Sequence, residues 1–455
     1  NALEVNMSPR HQRNTMLEAA GGGHAANCAT DTRTSHNRGR FALTVRKSPL
    51  WETGCMTVRT APVELPDLVA RPGGSFGIYI HVPFCATRCG YCDFNTYTPA
   101  ELGGANPDGW LEAVRAELGL AASRLGSPHR LGPPLVRQHV DTVFVGGGTP
   151  SLLGGAGLGS VLDAVRAHFT LATDAEVTTE ANPESTSPQL FEQLRAAGFT
   201  RVSLGMQSVA QHVLAVLDRV HSPGRALDAA REARGAGFDH VNLDLIYGTP
   251  GESDDDLRRS VDAAIHAGVD HVSGYALVVE DGTALARRVR RGEVAAPDDD
   301  VLAQRYELLD AHLSAAGFDW YEVSNWSRPG GECRHNIGYW NGGEWWGAGP
   351  GAHGFVGAIR WWNVQHPNAY AQSLADGLLP AADFERLDAT TQHVEDVMLR
   401  LRLRDGLPVA VLTDGERARA ETAIDDGLVA PAADRLVLTD RGRLLADAVV
   451  RMLLD

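Results

Sequence analysis

Cys85, Cys89 and Cys92 stand in the run Tyr79-Ile-His81-Val-Pro-Phe-Cys85-Ala-Thr-Arg-Cys89-Gly-Tyr91-Cys92-Asp-Phe-Asn. Three thiolates so close together suit a cubane of four irons in which one iron keeps an open coordination position. Such an iron can hold a small bidentate ligand. The competing chemistry is zinc, which closes a tetrahedron with four Cys or His ligands, usually as two separated pairs. Here the other thiols, Cys28, Cys55 and Cys333, are scattered singly, and His81 is the neighbour that could serve as a fourth ligand. Six Cys in 455 residues fall far short of a disulfide scaffold. Thiols used for metal belong in a reducing compartment, so a cytoplasmic location is expected.

Something must hold that loop and its ligand. From Gly77 onward, strand-like apolar runs alternate with amphipathic helical stretches, the pattern of parallel β/α units. Strands are expected at 78–82, 142–145, 176–179, 201–205, 241–246 and 271–277, with helices such as 188–197 and 255–267 between them. Six units make a partial (β/α)6 barrel, in which functional residues collect where strands give way to loops. The strand ends carry the right groups. Val143-Phe-Val is followed by Gly146-Gly147-Gly148-Thr149, whose missing side chains admit a ligand to the backbone. Glu180, Gln207, Arg219 and Asp244 lie at or just beyond later strands, and ionisable groups in such places need a partner or a ligand.

At these residues the chain resembles the radical S-adenosylmethionine (SAM) superfamily, and within it the oxygen-independent coproporphyrinogen oxidase-like group. The resemblance runs from about Gly77 to the C-terminus. It implies that Cys85, Cys89 and Cys92 hold a 4Fe-4S cluster, that SAM chelates the open iron, and that cluster reduction can release a deoxyadenosyl radical. It further implies SAM contacts from Tyr79, Tyr91, Gly147, Gly148, Thr149, Glu180, Gln207, Arg219 and Asp244.

Seven of the nine Trp lie between Trp320 and Trp362, flat rings that suit a porphyrin face or an ordinary core. The same stretch contains His335-Asn336-Ile-Gly-Tyr339-Trp340, and His is a common axial ligand of haem iron. H-N-x-x-Y-W resembles the haem motif of the HemW-type haem chaperones, which nominates His335; His353, in Gly351-Ala-His353-Gly, is a second imidazole, and Cys333 is a nearby thiol. The coproporphyrinogen dehydrogenases continue their loop with a further Cys where this chain has Phe94. The resemblance therefore favours a haem carrier delivering haem to acceptor proteins, with membrane-bound respiratory enzymes as candidates and a homodimer compatible. The alternative is an oxygen-independent coproporphyrinogen III oxidase. Methylthiotransferases are disfavoured for want of a second Cys set and a nucleic-acid-binding appendage.

A net charge of -16 argues against a nucleic-acid partner, and no apolar run is long enough to span a bilayer. Residues 1–70 read as a disordered or non-native extension, with an organelle leader as the alternative and Met56 as the expected initiator. The barrel is expected over 71–290, an aromatic-rich haem-binding region over 291–388 and a winged-helix-like module over 389–455. From Thr390 onward, nine Arg face twelve acidic residues, so the module is expected to pack over the active site rather than bind DNA.

Overall fold

The computed structural model describes residues 62–71, 73–126, 139–219 and 222–455. Expectations for Cys28, Cys55, Met56 and the rest of 1–61 lie outside the described residues. Six strands, β1 (Phe76–Val82), β2 (His139–Gly147), β3 (Thr170–Ala181), β4 (Arg201–Gln207), β5 (His240–Tyr247) and β6 (His271–Ala276), stand parallel and in sequence order. Between them run α1 (Pro107–Leu125), α2 (Gly154–His168), α3 (Pro188–Ala197), α4 (Gln211–Val216), α5 (Arg225–Gly235) and α6 (Asp254–His266).

Local chemistry sets these boundaries. Ser187 caps α3 by accepting from the Leu190 N–H, Pro188 occupies its first position, and Gly198 ends it at a φ of 106°. A reciprocal Ser253 and Asp256 capping box opens α6, with three Asp in its first turn where the helix dipole favours them. Strand alternation then sorts the side chains. Ile78, Ile80 and Val82 of β1 are fully buried in the core shared with the helices, whereas Tyr79 belongs to a separate aromatic cluster on the opposite face with Phe144.

The sheet does not end with the six strands. After α7 (Ala284–Arg290) and α8 (Asp299–Ala315), β7 (Asp319–Glu322) and β8 (Asn325–Ser327) extend it beyond β6. The short α9 (Arg334–Trp340) follows. Then β9 (Glu344–Ala348) pairs in parallel with the free side of β1, and β10 (His353–Val356), β11 (Ile359–Asn363) and, after α10 (Pro367–Ala375), β12 (Ala381–Arg386) continue antiparallel. The aromatic-rich stretch is thus built into one twelve-stranded sheet. Trp346 and Trp361 pack 4.9 Å apart in its helix-side core, and Trp326 is wholly buried, so most of these rings are structural.

A second core lies within the C-terminal module of α11 (Ala389–Arg400), β13 (Leu407–Pro408), α12 (Asp414–Asp425), β14 (Val429–Ala432), β15 (Arg435–Leu438), α13 (Asp440–Leu444) and α14 (Ala446–Leu454). Its helices and small three-stranded sheet match the winged-helix-like expectation. Its position does not match. Arg404 donates its N–H to the Tyr321 carbonyl and pairs with Asp319, while Arg400 reaches the Asn341 carbonyl. Asp319 is level with His271, the first residue of β6, and Asn341 lies just before β9. The module therefore docks at the N-terminal ends of the parallel strands, opposite the strand ends that carry the candidate site. The cause is a prepared seat: Arg443 forms two hydrogen bonds to Asp310 and stacks over Trp320 at 4.7 Å.

Candidate functional site

The loop with the three cysteines leaves β1 at Val82 and is closed by reciprocal backbone bonds, Cys85 N–H to the Tyr97 carbonyl and Tyr97 N–H to the Pro83 carbonyl. Gly90 pins its far side, donating to Leu217 and accepting from Leu285. All three thiols are free and half-buried. Burial pushes Cys85 up and Cys92 up to about 12, against hydrogen bonds from Thr149 to Cys85 and from the Phe94 backbone to Cys92. Arg219 donates to the Cys89 sulfur at 3.2 Å. Two thiols protonated at neutral pH and one beside a guanidinium make a set that a cationic centre would ionise. Among the described residues, no three His, Cys, Asp or Glu side chains converge on a point that could hold a single metal ion. A cubane places no such demand, since each of its irons takes one thiolate. His81 is spent elsewhere: its ring nitrogens face the Tyr79 hydroxyl at 3.1 Å and the Asn95 carbonyl at 2.9 Å.

The glycine run lies beside this loop. Gly148 takes its place because a Cβ there would lie 2.5 Å from the Phe84 carbonyl oxygen and 3.0 Å from the Cys85 sulfur. Gly147 has a φ of 111°, a conformation reserved for glycine, and donates its N–H to Glu180 at 2.9 Å. Glu180 is pushed up to about 7, first by burial and then by the charge of Asp244, which faces it across the barrel mouth. Burial raises Asp244 as well, while Asn242 and Ser203 donate to it. Two buried carboxyls acting on each other across the barrel mouth suit the approach of an ammonium group.

Gln207 carries two further marks of a ligand site. Its φ is 66°, rare for a residue with a side chain, and its Oε1 is buried without a hydrogen-bond partner among the described residues. Next to it, Gly205 leaves room for Arg219, whose Nη2 donates to the Gly205 carbonyl at 3.3 Å. Tyr91 lies among Arg219, Cys89 and Asp244, and burial raises its hydroxyl above the usual range. The structure thus brings Tyr79, Tyr91, Gly147, Gly148, Thr149, Glu180, Gln207, Arg219 and Asp244 to the end of the barrel that holds the three thiols. The orphaned Gln207 amide, the side-chain-free cradle and the soft donors fit a SAM-ligated iron-sulfur cluster. Sequence reasoning missed Asn242 and Ser203, although Asn242-Leu-Asp244 alternates as a strand does and so puts both polar groups on one face.

His335 lies elsewhere. It sits on Gly77 and Thr142, near the start of β1 and within the lower half of β2, where a Cβ on Gly77 would meet the imidazole at 3.0 Å. Its Nδ1 faces the Thr142 hydroxyl at 2.7 Å, its Nε2 faces the Tyr339 hydroxyl at 2.8 Å, and its ring stacks on Phe144. Burial pulls its pKa down to about 4. Glu176 holds the helix that carries it, accepting from the backbone N–H groups of Arg334 and His335 and from Arg201. Helix α9 is thus a floor between the barrel interior and the C-terminal module, with His335, Asn336, Tyr339 and Trp340 all buried.

A sequence profile of the radical SAM superfamily matches residues 79–264. The heme chaperone HemW of Mycobacterium tuberculosis (strain ATCC 25618 / H37Rv) is 71% identical over 399 residues, 88% of this chain and 100% of that protein. The heme chaperone HemW of Escherichia coli (strain K12) is 34% identical over 404 residues, covering 86% of this chain and 99% of its own. Among solved structures, coproporphyrinogen III oxidase (HemN) from Escherichia coli superposes with a TM-score of 0.70 at 21% identity, covering 85% of this chain and 91% of that one, a likeness of fold.

Proposed function

The chain belongs to the HemW family of heme chaperones within the radical SAM superfamily, and on that premise we propose that it binds haem and delivers it to acceptor proteins. The observation that carries the reading is the 71% identity across the whole length of a heme chaperone. The cysteine loop supports it, because the position of the dehydrogenases' extra Cys is Phe94.

In this reading Cys85, Cys89 and Cys92 would hold a 4Fe-4S cluster, with SAM bound beside it. The cluster supplies a low-potential electron when reduced. The protein's own part is to position: Gly147 and Gly148 let the ligand against the backbone, Glu180 and Asp244 face its ammonium, Gln207 offers the unpartnered amide oxygen, and Arg219 holds Cys89. Haem enters as cargo in the aromatic-rich region. His335 serves as its ligand only in a conformation where Nε2 has left Tyr339 and α9 has moved from its place between barrel and module. Haem acceptors, a cytoplasmic setting and a homodimer belong to the same proposal; among the described residues no helix is long and apolar enough to cross a membrane.

Anaerobic reconstitution followed by parallel assays tests the function. The reconstituted protein is expected to take up equimolar haem and to leave coproporphyrinogen III unchanged when given SAM and a low-potential reductant. Robust porphyrinogen conversion without haem uptake would reject the carrier and install the oxidase.

A further inference from the structure

Below the carboxyls at the barrel mouth, the register of β4, β5 and β6 sets Ser203, Asn242 and His271 in one row. Asp244 and Ser273 form the next row up, and strand alternation puts both rows on the same face. His271 opens β6 and is 1% exposed, one row short of the carboxyl that faces Glu180.

The hydrogen bonds along these rows have a direction. Asp244 accepts from the Ser203 hydroxyl at 3.1 Å, from the Asn242 amide at 2.8 Å and from Ser273. The Asn242 nitrogen also faces the Ser203 and Ser273 hydroxyl oxygens, at 2.7 and 3.0 Å. With both serine protons spent on Asp244, an amide oxygen in that corner would face three oxygens. The nitrogen therefore belongs there, and the Asn242 oxygen points the other way. It lies 2.7 Å from His271 Nδ1, which must then carry a proton. On the far side, the Tyr321 hydroxyl lies 2.8 Å from His271 Nε2 and accepts from the Asn336 amide at 3.4 Å, which leaves its own proton for the imidazole. Burial, then the charge of Arg201, holds His271 well below its ordinary pKa, so the ring is neutral, with one nitrogen donating and the other accepting. From Asn336 through Tyr321, His271 and Asn242, every proton is directed toward Asp244, and bonds aligned in series strengthen one another.

We propose that His271 is a positioning residue for SAM: by donating from Nδ1 to the Asn242 oxygen, it holds the Asn242 amide against Asp244 and so stabilises the ionised carboxylate that an ammonium group needs. It acts through Asn242 and not on SAM itself. Without that donor the Asn242 oxygen is a buried, unpaired acceptor, and the amide is free to turn from Asp244. The proposal rests on the SAM-site reading and deepens it.

Two variants divide the functions of the ring. The side-chain nitrogen of His271→Asn falls near the place of Nδ1 and can still donate to Asn242. The amide of His271→Gln reaches toward the place of Nε2 and Tyr321 instead. Both lose the imidazole, so both share whatever packing it supplied. SAM affinity of the reconstituted full chain is measured by calorimetry, with iron content as the check on folding. The change that SAM makes in the electron paramagnetic resonance of the reduced cluster is the second readout. His271→Asn is expected to stay within about threefold of the wild-type affinity and His271→Gln to bind about tenfold more weakly, the worth of one hydrogen bond to a charged group. Equal SAM affinity in the two variants, or weaker binding in His271→Asn, overturns the proposal while the SAM site stands. Histidine-selective nitrogen NMR of the wild-type full chain tests it without a substitution: the Nδ1–H tautomer is expected for His271, and the Nε2–H tautomer overturns the proposal. A wild type that binds no SAM defeats the site reading and the proposal with it.

Discussion

Gln207 shows how a single residue reveals a binding site. Gln207 stands at the register shift of β4 with a φ of 66°, and its buried oxygen has no hydrogen-bond partner among the described residues, so it is unfavourable on two counts. Replacing it with glycine is expected to stabilise the protein by roughly 1 kcal/mol, strain of this kind costing about 1–3 kcal/mol less the entropy glycine adds. The same change should weaken SAM binding by about tenfold, the worth of one hydrogen bond to a charged ligand. Chemical denaturation and calorimetry measure the two effects, and a loss of stability would show that Gln207 serves the fold. Glu180 gives the pocket a pH dependence. Burial, then Asp244, pushes it up to about 7, so it is largely protonated in the empty pocket at pH 6. An incoming ammonium needs the ionised form. Affinity for SAM should therefore fall several-fold from pH 7.5 to pH 6, about one unit below the raised pKa, and Glu180→Gln should flatten the profile. A flat wild-type profile would mean that Glu180 does not meet the ammonium.

Helix α9 shows why an element cannot be placed from its motif. His-Asn-x-x-Tyr-Trp was legible as a unit, and so were the strand ends that carry the candidate site, because alternation and glycine runs are local signals. The position of α9 depends on Glu176, one polar residue in a strand more than 150 residues upstream, for which no local pattern exists. Burial alone would raise Glu176; the charge of Arg201 and the N–H groups of His335 and Arg334 outweigh it and hold it below the usual carboxylate range. Its contribution to stability is thus present above the ordinary Glu value and lost as pH falls through the lower folded value. Glu176→Ala leaves Arg201, 1% exposed, without its counter-ion and α9 without its cap. A loss of about 3 kcal/mol is expected, the lower end for a broken buried pair because Arg201 keeps the Gly331 and Glu332 carbonyls. Urea denaturation at pH 7 measures it, and a loss below about 1 kcal/mol, the range of a surface pair, would show that α9 is held by other means.

At the scale of the molecule, the order of β1 to β6 was readable and the continuation of the sheet was not. Strands β7 to β12 are short, and their tryptophans read as a cluster of rings without a direction. The docking of the C-terminal module was hidden for a similar reason, since Arg443, Asp310 and Trp320 come from three distant segments. The pairing of β1 with both β2 and β9 also has a meaning in time. During synthesis, the far edge of β1 waits for a partner that emerges only after more than 260 further residues, between Val82 and Glu344. At about 5–20 residues per second, that is roughly 13–50 s on the ribosome with a buried-type strand edge unpaired, directly ahead of the cysteine loop. Over that interval the edge of β1 beside the cysteine loop is open to pairing with another strand, and the arrival of β9 closes it.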